Sequence, residues 1–394
     1  MANTLTIDQA STLFNAILAQ SKGGAVLATV NTKDFVTLAQ HAINVVGYDD
    51  LITAMSKVIS RSIFSVRPYT RKLQFLQNDT VEYGAFDRKL SAIDPVLRDN
   101  DALKLINGQS IDPYLVEKPQ VYQANFYGAE TFEVLQTIYK QQLKPALLNE
   151  GEWAQYLTMV LTAMQNVVEK TYEDTARMTV VNLIAGTMST GVASQQVHLL
   201  TEYNTLTGQS LTLAQAMAPA AFPDFARWIF ARITSLSKAL REYSYLYHVN
   251  PTAATPIGGN ISRHSDTEEQ RLVLYEPFFQ RVASNVLSVS FNDRYLQLLP
   301  YEGVTFWQNP LNPQSIDVDA GYVDSAGAVQ HAAVSSNVVL GVLFDRDAAG
   351  TTLLQDDSYT SPFNIRGEYW NMVTKGIKRY YNDNTENCVV LLLD

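Results

Sequence analysis

The strongest constraint on the fold is a helical pattern of unusual length in the middle of the chain. Mostly apolar residues recur at helical spacing at Trp153, Leu157, Val160, Met164, Val167, Thr171 and Met178. The pattern predicts a helix over 150–186, with the first four of these residues as its buried stripe and Gly186 just past its last turn. At 1.5 Å per residue the helix is roughly 50 Å long, far above the usual ~11–12 residues. We expect it to act as a strut.

A second informative stretch closes the chain, at residues 367–394. Val or Leu fills every position from 389 to 393, which predicts a central strand covered on both faces. The residues from 369 to 381 fit both a helical stripe and one face of a strand. Aromatic and β-branched residues are frequent there, and the sequence NDN at 382–384 is strong turn chemistry. These features favour a long strand, a tight turn and a buried strand.

The remaining segments differ in their patterns. Residues 1–60 contain three short helical patterns with narrow apolar stripes, which predict an arm that packs on something else. Residues 61–140 mix strand-like alternation with polar, weakly patterned stretches, which is typical of a functional or disordered insertion. A second helical region follows Pro223 and extends to 248. Strand and helix patterns then alternate from about 267 onward, including strands at RLVLYE, GVTFWQN and NVVLGVLFD, so the fold class is predicted to be α+β.

Composition excludes several classes of protein. With 46% hydrophobic residues in 394, the chain can bury a large core. The net charge of −10 argues against a general nucleic-acid-binding protein, and residues 105–394 hold 18 basic against 29 acidic side chains. The single cysteine, Cys388, excludes a disulfide framework. No apolar run reaches about 18 residues and no basic region opens the chain, so neither a membrane span nor a signal peptide is expected.

Candidate catalytic and metal-binding motifs are weak. The chain lacks the nucleotide-binding, zinc-protease and hydrolase signatures. SLSK at 235–238 matches a serine-acylase motif, but an exposed helix face explains it better. DVDAGYVD at 317–324 resembles a calcium loop, yet its glycine is misplaced, and we interpret it as an acidic turn between strands. DRD at 345–347 resembles a metal-binding motif, and carboxylates that cap a turn at a strand end explain it equally well.

The histidines and tyrosines give no binding signature. His41, His198, His248, His264 and His331 never occur at metal-ligand spacing, and we interpret each as structural or on the surface. The 21 tyrosines accompany an acidic chain and no basic groove, so packing in the core and at interfaces is favoured over stacking on bases.

Three stretches together resemble a known family. They are VISRSIFSVRPYTRKLQFLQNDTVEYG at 58–84, EQRLVLYEPFFQRVASNVLSVSFNDRYLQLLP at 269–300, and SPFNIRGEYWNMVTKGIKRYYNDNTENCVVLLLD at 361–394. The chain resembles the major capsid proteins of tailed bacteriophages, which share the Hong Kong 97-like fold, and among them most the head proteins of small short-tailed phages. The resemblance spans the whole chain, and each stretch is a loose pattern. It implies a self-assembling structural subunit of an icosahedral head that encloses double-stranded DNA.

The resemblance also implies a division of the chain. Its parts would be an N-terminal arm at 1–60, an extended loop lying over a neighbouring subunit at 61–140, a peripheral domain at 141–250 with its spine helix at 150–186, an axial domain at 251–366, and terminal strands at 367–394 that return through both domains. No immunoglobulin-like surface domain is expected after residue 394.

The expected partners follow from the resemblance and from charge. Residues 61–104 are locally basic, with 8 basic and 6 acidic side chains. Their candidate contacts with the acidic bodies of neighbouring subunits are Arg67, Arg71, Lys72, Arg88 and Lys89. Further candidate partners are scaffolding, portal and decoration proteins, while packaged DNA is expected to be contacted only weakly and a membrane not at all. Assembly is expected in the host cytoplasm and the final location in the virion capsid.

No catalytic residue, cofactor or metal is expected, because shell proteins need no active site. Two alternatives stay open at this point. One is a nanocompartment shell protein of the same fold, which encloses enzymes. The other is an enzyme without a recognisable motif.

Overall fold

The structure is a computed structural model, and it describes residues 72–78, 87–95, 118–127, 129–140, 150–251, 260–285 and 300–394, with isolated positions between 97 and 116. For part of these, including 150–158, only the backbone is described. The predicted arm at 1–60 lies outside the described residues, as do Arg67 and Arg71.

Twelve strands and five α-helices form within the described residues. The strands are β1 (Asp87–Ala92), β2 (Val121–Phe126), β3 (Ala129–Tyr139), β4 (Gln196–His198), β5 (Gln270–Tyr275), β6 (Tyr301–Val304), β7 (Ile316–Val323), β8 (Val329–Ser336), β9 (Val339–Asp345), β10 (Ala349–Thr360), β11 (Tyr369–Asn382) and β12 (Cys388–Leu392). The helices are α1 (Glu150–Ser189), α2 (Leu199–Thr207), α3 (Leu213–Ala216), α4 (Phe222–Leu240) and α5 (Glu276–Asn285). The α+β class is confirmed.

The core is built around a five-stranded sheet in the order β4-β12-β9-β5-β6. The terminal strand β12 lies inside it, parallel to β4 and antiparallel to β9. Val389 and Leu391 pack in an apolar cluster with α2, α4 and α5. Val390 and Leu392 pack on the other face with α1 and Trp307. Every residue of β12 is buried, so the predicted strand covered on both faces is confirmed.

A second sheet has the order β10-β11-β3 and is antiparallel throughout. Its central strand, β11, confirms a strand over a helix for the residues before the terminal turn. The middle of α1 covers one face, where Tyr172 meets Phe132 at a ring-centroid distance of 6.2 Å. β3 lies within the segment predicted as an extended loop, but it pairs with β11 along its full length. The predicted boundary between the extended loop and the body, at residue 140, stays a prediction.

The long helix is confirmed, but its predicted end at Gly186 is wrong. The helix runs on to Ser189, and Gly191 has a φ of 73°, the left-handed conformation that favours glycine after a helix. Gly186 instead lies inside the helix where another segment approaches closely. A Cβ at Gly186 would lie 3.1 Å from the carbonyl oxygen of Gly321.

The buried stripe of α1 is partly as predicted. Val160 and Met164 are buried, whereas the side chains of Trp153 and Leu157 lie outside the described ones. The inclusion of Val167 and Met178 in the apolar pattern was misleading, because these side chains are 48% and 36% exposed. The stripe continues instead through Val168, Tyr172, Ala176 and Val180. These buried residues recur every four positions. Val168 and Tyr172 pack on the three-stranded sheet, and Ala176 and Val180 pack in the cluster with the five-stranded sheet.

Three other element predictions need correction. The strand expected at 303–309 ends at Val304, because Trp307 turns into the core and its Nε1 donates to the Val339 carbonyl at 3.2 Å. The helix expected to reach 248 ends at Leu240, whose carbonyl oxygen accepts from Ser265 N at 2.8 Å. The stretch 317–324 is not a turn but mostly strand β7, and only its last residue lies in the turn to β8.

Candidate assembly site

The hairpin β1–β2 has one face toward the body of the subunit and one toward solvent. Successive residues of a strand point to opposite faces. Arg88, Leu90 and Val121 lie on the exposed face, where Leu90 is 57% and Val121 56% exposed. Lys89 and Ser91 lie on the face toward the body, and Ser91 is buried. The hairpin therefore carries an anchoring face and an exposed face, on which Leu90 and Val121 lie beside the polar Arg88 and Gln123.

Four charged residues join the anchoring face to the body, and we call them the hairpin charge cluster: Lys89, Arg263, Asp383 and Glu386. Lys89 Nζ lies 2.9 Å from Asp383 Oδ2 and also contacts a carboxylate oxygen of Glu386. Arg263 Nη1 lies 3.1 Å from the same Glu386 oxygen, and its Nη2 donates to Ser91 Oγ at 2.8 Å. The two carboxylates are thus held by one cation of the hairpin and one of the body.

The carboxylates belong to the turn between β11 and β12, residues 383–387, which is polar and buried throughout. The backbone N–H and the hydroxyl of Thr385 donate to Asp383 Oδ1 at 2.9 and 2.6 Å, a local bond typical of turn aspartates. Asn387 Nδ2 donates to Ser265 Oγ at 3.1 Å. Hydrogen bonds within the chain thus replace the water that these buried groups lose.

Burial and charge act against each other in the cluster. Burial raises the pKa of Glu386, and the charges of Lys89 and Arg263 oppose that rise. Burial by itself would lower the pKa of Lys89, but the charges of Asp383 and Glu386 outweigh it and leave the pKa above its ordinary value. Lys89 is therefore a charged, paired side chain at neutral pH.

Among the other predicted contact residues, Lys72 Nζ donates to the Gly303 carbonyl at 3.4 Å and Arg88 is exposed. Of the three predicted contact residues that the structure describes, only Lys89 enters the charge cluster. Its partners Arg263, Asp383 and Glu386 are not predicted from the sequence. The one signal for them is a run of five polar residues between two apolar strands, which predicts a turn but not the burial of that turn.

A second uncovered surface is the outer face of the sheet β10-β11-β3. The register places Tyr359, Val373 and Leu135 side by side in one row across the three strands. Tyr359 is 52% and Leu135 56% exposed. Near the end of the same face the rings of Tyr139 and Tyr369 lie 6.0 Å apart. This row is apolar surface that the described part of the chain leaves open to solvent.

The weak motifs of the sequence form no catalytic or metal site within the described residues. Ser235 and Lys238 are exposed on α4. Among the residues that the structure describes, no three His, Cys, Asp or Glu side chains are close enough together to hold a metal ion. Asp345 caps the turn after β9 by accepting from the backbone N–H of Asp347 at 2.9 Å. Of the described helices, none combines the length and apolar character needed to cross a membrane.

The single cysteine and the most buried histidine are structural. Thr187 Oγ1 donates to Cys388 Sγ at 3.3 Å, and burial raises the thiol pKa to about 12, so the thiol is no nucleophile. Burial lowers the pKa of His248 and keeps it neutral at pH 7. His41 lies outside the described residues.

Comparison with solved structures identifies the fold. The capsid structure of Staphylococcus phage Andhra matches with a TM-score of 0.52 and 8% identity, covering 84% of this chain and 86% of that one. A structure described as "head fiber and inner core protein gp22 of native bacteriophage P68" matches with a TM-score of 0.53 and 9% identity, covering 82% and 85%. The fold is the Hong Kong 97-like fold of tailed-phage capsid subunits.

The model of the Phi29-like phage major capsid protein family matches residues 12–392, and the chain belongs to that family. No curated protein sequence matches it. The protein is therefore a structural subunit of a phage head, located in the virion capsid, and it is not an enzyme. The family assignment decides against both alternatives left open by the sequence.

Proposed function

We propose that copies of this chain form the hexamers and pentamers of an icosahedral head around double-stranded DNA, and that the head assembles in the host cytoplasm. The observation that carries the proposal is the apolar surface left uncovered on the hairpin and on the outer face of the sheet β10-β11-β3. Contiguous exposed apolar surface of this kind is typical of protein–protein contacts.

In the proposed contact, the exposed face of one subunit's hairpin lies on the outer face of the next subunit's sheet. Leu90 and Val121 would meet the row of Tyr359, Val373 and Leu135. Charge gives this pairing no net preference, because Glu133 on the sheet face stands directly opposite the exposed Lys375. Apolar contact would contribute most of the free energy.

We further propose that Arg67, Arg71, Lys72 and Arg88 contact neighbouring subunits. Each exposed ion pair would contribute only about 0.2–1 kcal/mol, but every subunit of a closed shell repeats it. Lys89, the fifth residue predicted from the sequence, is left out of this proposal, because its ammonium contacts Asp383, Glu386 and the Asp347 carbonyl oxygen of its own subunit.

The division of the chain is part of the same proposal: arm at 1–60, extended loop at 61–140, peripheral domain at 141–250, axial domain at 251–366 and terminal strands at 367–394. Two observations support it. The hairpin β1–β2 lies in the proposed loop, and three of the five strands in the sheet that contains β12 come from the proposed axial domain. Scaffolding, portal and decoration proteins are further proposed partners.

The test is assembly of the purified protein, followed by negative-stain microscopy and sedimentation. We expect closed particles of uniform size from the parent chain. The double variant Leu90→Asp/Val121→Asp should stay folded and form no particles, whereas Gln123→Asn on the same hairpin face should assemble normally. Discrete small oligomers from the parent would contradict the shell, and normal particles from the double variant would contradict the hairpin contact.

We propose weak contact with the packaged DNA, on the basis of the net charge of −10. Tight binding needs clustered cations that displace counterions from phosphates. Purified subunits should therefore not retard duplex DNA in a gel near physiological salt. A complex that forms at micromolar protein and weakens steeply with salt would refute this part of the proposal.

A further inference from the structure

The hairpin β1–β2 touches its own subunit at points well separated along its length. Just beyond β1, at the end that leads into the connecting segment 93–120, Asp94 accepts from Tyr243 OH at 2.6 Å and from Ser262 N at 3.0 Å. Lys89 binds the buried turn five residues nearer the base of the hairpin, which is about 17 Å along an extended strand. Two attachments so far apart define both the position and the orientation of the hairpin on its own subunit.

The attachment through Lys89 is electrostatic and buried. The side chains of Asp383 and Glu386 are only 1% and 8% exposed. In the body, Arg263 binds Glu386 but not Asp383, so Lys89 is the cation that the hairpin adds to Asp383. Among the described residues, lifting the hairpin would leave these two carboxylates with one guanidinium, and an unpaired buried charge is strongly unfavourable.

An apolar contact lies beside the cluster. The ring of Phe126, the last residue of β2, lies 5.1 Å from the ring of Tyr381. Such a contact tolerates small changes of angle, whereas the two carboxylates define the position of the Lys89 ammonium to within hydrogen-bonding distance.

We propose that Lys89 is the positioning residue that locks the hairpin onto its own subunit, before any neighbour binds, with Arg88, Leu90 and Val121 turned outward. The inference rests on the proposed function, in which that outward face contacts the next subunit. Subunits that enter the shell with a fixed hairpin lose less conformational freedom on binding than subunits with a free one.

The test is hydrogen exchange in full-length protein, held below the concentration at which it assembles. In Lys89→Met, amides of β2 should exchange at least about tenfold faster than in the parent, while amides of β12 should be unchanged. Lys89→Arg should restore protection, because it keeps the charge. The matched control is Arg88→Met, one residue away on the opposite face, which should leave both regions as in the parent.

If Lys89→Met also speeds exchange in β12, the substitution weakens the whole fold. A charge-balanced variant then tests whether Lys89 holds the hairpin. Lys89→Met/Asp383→Asn removes one charge of each sign and keeps the pair of Arg263 with Glu386. It should leave β12 protected and β2 exposed to exchange. The test uses whichever of these variants keeps β12 protected. If the exchange rates of the β2 amides in that variant are within about twofold of the parent, the proposal is wrong.

Assembly gives a separate measurement. Particle yield should fall in Lys89→Met and recover in Lys89→Arg. A parent chain that forms no particles would refute the proposed function, while the exchange result would still decide whether Lys89 holds the hairpin.

Discussion

The two main sheets use similar residues in opposite ways. β12 in the five-stranded sheet and β11 in the three-stranded sheet are both rich in β-branched and large apolar side chains. Every residue of β12 is buried between two clusters. β11 is buried only at alternate positions along its first half, and on its outer face Ile377 is 36% exposed. The difference lies in what covers each sheet, since helices pack on both faces of the first and α1 on one face of the second.

The two sheets therefore differ in how far the described residues cover them. The five-stranded sheet is covered by its own chain and should be stable in an isolated subunit. The outer face of the three-stranded sheet has no cover among the described residues, and in the proposed shell other copies would cover it. Mutations should therefore act on subunit stability in the first sheet and on assembly in the second.

The largest effect is expected at the centre of the buried sheet. Leu391→Ala should lower the free energy of unfolding of the isolated subunit by about 2–5 kcal/mol, because Leu391 is fully buried and its removal leaves a cavity. Urea unfolding followed by circular dichroism measures the change. A loss below about 0.5 kcal/mol would show that the five-stranded sheet is not the stability core.

A smaller effect is expected from the helix that joins the sheets. Met164→Ala should cost about 2–3 kcal/mol, since Met164 is 2% exposed but flexible neighbours can partly refill its space. Met159 on the same helix is 61% exposed and provides the matched control. Met159→Ala should change the unfolding free energy by less than about 0.5 kcal/mol. Equal effects of the two variants would mean that the buried face of α1 is assigned wrongly.

Gly341→Ala should lower the free energy of unfolding by about 1–3 kcal/mol, because it overpacks the buried sheet. A Cβ at Gly341 would lie 2.5 Å from Leu274 Cδ2 and 2.6 Å from the Val273 carbonyl oxygen, and a backbone oxygen cannot move aside. Gly303→Ala is the control, because the three atoms nearest to its Cβ all belong to the flexible side chain of Glu276. In thermal unfolding, Gly341→Ala should have a lower melting temperature than Gly303→Ala, and the reverse order would be inconsistent with this packing.

The smallest effect on the subunit is expected on the uncovered face. Leu135→Ser should change the unfolding free energy by less than about 0.5 kcal/mol, because Leu135 is 56% exposed. The same variant should reduce particle yield, whereas Thr131→Ser on the same face should not. Loss of subunit stability without loss of assembly would reverse the comparison between the sheets.

Elements with a strong local pattern could be predicted. The length and type of α1 and the strands β5, β9, β11 and β12 follow from periodicity, composition and turn residues within each segment. The ribbon β7–β8 was missed, because its acidic residues suggested a turn. The end of α1 was misplaced because two glycines stood near it, and only the approach of Gly321 distinguishes their roles.

The candidate site was predicted less well than the fold. The sequence identified Lys89 as a basic residue of an extended segment, but its partner Asp383 lies 294 residues away. Nothing local marks Asp383 as buried, since a run of Asp, Asn, Thr and Glu is ordinary surface composition.

By itself, the sequence determined the class of fold, the long helix and the buried terminal strand, because these depend on repeated side-chain patterns over neighbouring residues. The tertiary structure alone decided which polar residues are buried, which face of each strand is covered and which charges meet. Those properties are set by contacts between segments far apart in the chain, where burial changes the free energy of a charge far more than its neighbours in sequence do.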